Sequence, residues 1–146
     1  MAYTQVQFGD WILEVDVEST KEAYVHRPYI NRCRCQGCQN YFKLCSSLPA
    51  EILATFNSLG IDPMKEGEVS VLYKNDDGTH VYDGFYTFTG TILKQPIEQS
   101  LLPCTNTFSI SFTDKISILT PPVLKPMLQI NFMATFPWIL KESSEY

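Results

Sequence analysis

Val69-Ser70-Val71-Leu72-Tyr73-Lys74-Asn75-Asp76-Asp77-Gly78-Thr79-His80-Val81-Tyr82 is the stretch that decides the fold class. Val69 to Tyr73 is β-branched and aromatic, as strands are. Asn75 to Gly78 is turn chemistry, because Asn and Asp bond their own backbone and Gly takes conformations closed to other residues. Thr79 to Tyr82 then resumes the extended pattern. The stretch therefore predicts a β-hairpin, and with it an antiparallel sheet.

Working outward, Asp83-Gly84 is predicted to break the chain before a further strand over Phe85 to Leu93. Pro96 to Pro103 is expected as a connection. Phe108, Ile110 and Phe112 alternate with polar residues, which gives a strand with one buried face. Thr120-Pro121-Pro122 and Lys125-Pro126 punctuate a loop. Leu128, Ile130, Phe132 and Ala134 mark a last strand, apolar on both faces and so central. KESSEY at 141–146 reads as a polar tail.

Upstream, Leu13, Val15 and Val17 alternate with Glu14 and Asp16, again a half-buried strand. Ser19 to Lys21 is expected as a turn, and Ala23 to Ile30 as an extended segment interrupted at Pro28. The clear helix covers about residues 49–59. Pro49 suits a first turn, Glu51 faces the positive end of the dipole, and Ile52, Phe56 and Leu59 form one stripe. Gly60 is placed to cap it. Strands in hairpin succession with one helix give an α+β domain, mainly antiparallel, over residues 1–146.

Composition narrows the function. Apolar residues make up 45% and charged residues 18% of the 146, and the net charge is −5. This is globular composition. Its acidity argues against nucleic acid as a partner, since phosphate backbones are repelled. Arg27, Arg32 and Arg34 are too few to reverse that. No apolar run is long enough to span a membrane, and the N-terminus lacks a basic segment before an apolar one. The expected location is the cytoplasm, where clustered cysteines are reduced, metal-bound or catalytic.

Three of the five cysteines fall in Arg32-Cys33-Arg34-Cys35-Gln36-Gly37-Cys38. A C-x2-C turn presents two thiolates to one point, so Cys35 and Cys38 suit zinc. Cys33 and Cys45 are the next candidate ligands, with His26 or His80 as substitutes. The same pair could instead serve thiol redox chemistry, with Arg32 and Arg34 supplying charge. A third reading makes the thiols part of a turn, with Gly37 in a backbone conformation closed to other residues. A short helical turn over Asn40 to Cys45 follows. Cys104, beside Pro103, reads as a packing residue.

Cys35-x2-Cys38-x-Asn40-Tyr41, Pro49, Phe56, Leu59-Gly60-Ile61-Asp62, Lys65 and Glu68 form a longer pattern. It resembles one in small uncharacterised bacterial proteins with C-x-x-C-x-N-[FY], a short helix, L-G-I-D and a K-x-x-E element. This chain has Glu66 after the lysine, where the pattern often has proline. The resemblance implies bacterial origin and a shared turn–helix unit, with no reaction attached.

No nucleophile elbow, zinc-protease helix, phosphate loop or dinucleotide fingerprint is present. The acids from Asp62 to Asp83 read as a solvated face. Rings on a strand can exceed what one core holds, and exposed aromatics mark interfaces. Tyr82, Phe85, Tyr86, Phe88 and Trp138 are therefore candidates for a partner or homodimer surface. The leading expectation is a non-enzymatic protein of immunity or accessory type that binds a protein partner, basic in keeping with its own acidity. The alternative is a small metalloprotein with one structural zinc at Cys33, Cys35 and Cys38. A further alternative is a redox protein using Cys35 and Cys38.

Overall fold

The computed structural model describes residues 2–98, 100–118 and 125–146. The hairpin is there. β3 (Glu68–Lys74) runs antiparallel to β4 (His80–Lys94). Its turn is closed by Asn75 N–H on Thr79 O at 2.8 Å. The Asp77 carboxylate accepts Thr79 N–H at 2.9 Å and the Thr79 hydroxyl at 2.6 Å. Gly78 sits at φ 90°, where an L side chain is strained.

β4 does not break at Asp83-Gly84, as the sequence suggests. It continues for 15 residues. Gly84 is there for close approach and not for a turn: a Cβ would stand 2.7 Å from Cζ of Phe132 and would also strike the Glu68 carbonyl. This uninterrupted strand organises the sheet. β3 pairs with its first half, and β2 (Trp11–Val15) pairs with its last residues on the way to β1 (Thr4–Phe8). Its other edge carries β7 (Met127–Phe136), followed by β6 (Phe108–Thr113) and β5 (Leu102–Thr105). Every pairing is antiparallel. β7 lies centrally in the strand order as expected, but one face alone is apolar core: the other carries Gln129, Asn131 and the exposed Met133. β5 begins within the last two residues of the expected connection over Pro96 to Pro103 and runs past it. The expected loop signal Thr120-Pro121-Pro122 lies outside the described residues.

The described residues hold three helices where one was clear from sequence. α1 (Val17–Val25) replaces the expected turn and the first residues of the extended segment, and it takes Val17 from the expected strand, which ends at Val15. Asp16 caps it, accepting Ser19 N–H at 3.0 Å and the Ser19 hydroxyl at 2.8 Å. Its buried face is Thr20, Ala23 and Tyr24, at helical spacing but short of large apolar residues. α2 (Gln36–Leu44) is longer than the helical turn expected over Asn40 to Cys45. α3 (Ala50–Leu59) matches expectation, with Ile52, Phe56 and Leu59 fully buried and Gly60 in the left-handed region at φ 81°.

The core forms between these helices and one sheet face. Phe56 packs on Tyr86 with ring centroids 5.1 Å apart, and Phe108 on Phe132 at 5.7 Å. Tyr82, Tyr86 and Phe88 belong to this core. That corrects their proposed place on a partner surface: a ring removed from water by its own chain has no face left to offer. Phe85, on the opposite side of β4, and Trp138 remain half-buried.

The expected polar tail is docked. Trp138 Nε1–H donates to Glu142 O at 2.9 Å, and Gln36 Nε2–H donates to Ser143 O at 3.1 Å. Glu145 N–H donates to Gln36 Oε1 at 2.9 Å. At Gly60 an added methyl would meet the Val17 carbonyl, whereas at Gly78 it would meet open space. Gly60→Ala is expected to cost at least about 2 kcal/mol, and Gly78→Ala about 1 kcal/mol, in urea denaturation. Equal losses would contradict the packing assigned to Gly60.

Candidate metal centre

The three neighbouring thiols are brought together by the start of α2. After α1 the chain makes an isolated bridge from Tyr29 to Lys65 and a 3₁₀ turn over Ile30–Arg32. Gln39 then reaches back from α2. Its Nε2–H group donates to Asn31 O at 2.9 Å and to Cys33 O at 2.7 Å, which holds the Cys33 loop on the helix. Cys35 is the N-cap, its sulfur accepting Cys38 N–H at 3.4 Å. The sulfurs of Cys33 and Cys35 lie 3.2 Å apart. All three sulfurs fall within 4.8 Å of one another. In a zinc tetrahedron with Zn–S of about 2.3 Å, the edges are about 3.8 Å, so small χ rotations suffice to close on an ion.

Gly37 corrects a sequence expectation. It is helical, with φ outside the left-handed region. Its lack of a side chain matters for space: a Cβ would stand 2.8 Å from Cγ2 of Val71 on β3. Its carbonyl accepts the Tyr82 hydroxyl at 3.0 Å, and its N–H donates to Tyr146 Oη at 3.2 Å. The turn between Cys35 and Cys38 is thus pinned from the sheet and from the tail.

One helical turn on, Asn40 is fully buried and fully used. Its Nδ2 group donates to Tyr82 Oη and Pro137 O, each at 3.1 Å, and its Oδ1 accepts Ile139 N–H at 2.8 Å. Tyr86 donates to Pro63 O at 2.8 Å, so the hydroxyl pair with Tyr41 at 2.7 Å takes its hydrogen from Tyr41. These contacts fix the helix start that carries the thiols. Gln36, Gln39 and Tyr146 carry no local sequence signal of that role, because their partners are remote or depend on a bend not visible in the sequence.

The thiols differ electrostatically. Cys33 and Cys35 are exposed and Cys38 is buried. Cys33 is held below the ordinary thiol range, first by the Cys35 backbone N–H and then by the neighbouring thiols. Cys38 is pushed up, chiefly by burial and then by its hydrogen bonding with Cys35 and Cys33. A bound cation would relieve this arrangement by taking the place of the shared protons.

The other candidate ligands are elsewhere. Cys45 is buried in the core with its sulfur 3.6 Å from Pro63 O, and burial pushes its pKa to about 12. His80 is enclosed, with its ring 4.6 Å from that of Trp138 and its Nε2 atom 2.6 Å from Ser144 Oγ. Burial holds its pKa below the usual histidine value. His26 caps the C-terminal end of α1 and is exposed. Among the described residues, Cys33, Cys35 and Cys38 form the group able to hold an ion. In comparisons with protein families, curated proteins and solved structures, no family model, no curated protein and no solved structure matches this chain.

In the folded protein stripped of metal with a chelator, alkylation with iodoacetamide, mapped by mass spectrometry, is expected to label Cys33 first, starting below the usual thiol pH range. Cys45 should label only on unfolding. The same burial gives a stability slope. Cys45 keeps its proton when folded but loses it above the ordinary thiol range when unfolded. The unfolded state then binds fewer protons, and stability falls as pH rises from about 8.5 toward 12. Cys45→Ala should flatten that slope in urea titrations, and an unchanged slope would contradict the assignment.

Proposed function

We propose that this is a small zinc-binding protein whose ion is held by Cys33, Cys35 and Cys38. The observation that carries the reading is the convergence of three sulfurs within 4.8 Å on a helix start anchored by the sheet. Thiolates are the soft donors that zinc favours, and a C-x2-C turn is a common zinc-binding element. The ion would tie the exposed Cys33–Cys35 loop to α2. The redox alternative draws less support. The lowered thiol is Cys33, outside the C-x-x-C pair, while Cys38 within it is raised. Reduced, unpaired cysteines suit a bacterial cytoplasm.

A second reading keeps the partner-binding expectation, supported by the sheet face away from the helices. There Phe85, Leu101, Ile118 and Met133 line an open groove together with Glu68 and Asp83. An immunity or accessory protein could use such a face for a basic partner or for a second copy of itself.

Protein purified without added metal or chelator should carry about one zinc per chain, with Cys33, Cys35 and Cys38 masked from thiol reagents until denaturation. Serine at any of the three should lower zinc affinity at least about tenfold, whereas Cys104→Ser should leave it unchanged. Absence of zinc together with free reactivity of the exposed thiols would overturn the reading.

A further inference from the structure

We infer that the fourth coordination position of this centre is open and takes an external thiolate, so that the ion is exchangeable and not sealed in. The inference rests on the metal reading above. Three features of the site carry it.

The first is the donor count. A closed zinc site needs four protein ligands, and a site with three leaves the fourth position to an outside ligand. Cys45 and His80 are committed elsewhere, His26 stands outside the group at the exposed end of α1, and no acid joins the group among the described residues. Residues 1, 99 and 119–124 contain no Cys, His, Asp or Glu.

The second is exposure. Cys38 lies at the base against Val69, with its sulfur 4.0 Å from that carbonyl, while Cys33 and Cys35 face water. The vacant corner of the tetrahedron therefore points outward.

The third is charge. Zinc with three thiolates carries −1, which alone would repel an incoming anion. Arg32 and Arg34 flank Cys33, are exposed, and form no ion pair among the described residues. They bring the local sum to +1, opposed by Glu68, whose charge reaches Cys33. A soft anion suits both the ion and this field. The ligand class is a small thiol. In the exchange a zinc-bound water leaves, the incoming thiol gives its proton to solvent, and a Zn–S bond forms with no change of oxidation state.

The test uses the full chain loaded with cobalt(II), whose visible spectrum reports sulfur count, and 2-mercaptoethanol as the probe. Cobalt should bind one to one with a three-thiolate spectrum. The added thiol should strengthen the sulfur-to-cobalt charge-transfer band and shift the visible bands toward a four-thiolate pattern. Cys45→Ser and Cys104→Ser should behave alike, and Arg34→Glu should raise the thiol concentration for half-saturation several-fold. A spectrum that the thiol leaves unchanged, whether it reports three sulfurs or four, overturns the open position. Failure of cobalt to bind stoichiometrically overturns the metal reading itself.

Discussion

The hydrogen bond from the Tyr82 hydroxyl to the Gly37 carbonyl joins the longest strand to the chemically distinctive end of the chain. It spans 45 positions in sequence and is buried. The same hydroxyl accepts from Asn40, so two successive turns of α2 are referenced to one residue of β4. A buried network of this kind is valuable when every member is satisfied, and costly to break, because the remaining groups stay in low dielectric without partners. The position of Cys35 and Cys38 follows from it. The tail and Gln39 add further contacts to the same helix start.

β4 can serve as the reference because it is held on both edges. β3 and β2 share one edge between them, and β7 runs along the other. Its inward rings, Tyr82, Tyr86 and Phe88, belong to the core, and its hydroxyls reach α2 at Gly37 and Tyr41. Aromatic residues with a polar tip suit this double task, since the ring fills volume while the tip finds a partner. The same fact removes these rings from the surface.

What the sequence made legible follows from range. The hairpin at Asn75–Gly78, the alternation of Phe108, Ile110 and Phe112, and the stripe of α3 all rest on neighbours within a few positions, and each appears in the structure. α1 escaped because Thr20, Ala23 and Tyr24 make a weak stripe, although Asp16 followed by Ser19 is a capping signal that could have found it. Gly84 and Gly37 misled for one reason. Glycine signals either a turn or a close approach, and only tertiary structure tells which. For the site, the cluster of three thiols was visible. The exclusion of Cys45 and His80 depends on contacts 18 and 64 positions away, and the docking of residues 143–146 with the roles of Gln36 and Tyr146 on contacts across about a hundred positions, for which no local pattern exists.

The central claim is that the sheet and α2 present three thiolates to one ion with a fourth corner outside the protein. X-ray absorption at the zinc edge on the loaded full chain tests it directly. The account predicts a shell of three sulfurs at about 2.3 Å and one lighter donor from solvent. A shell of four protein sulfurs, or one without sulfur, would contradict it.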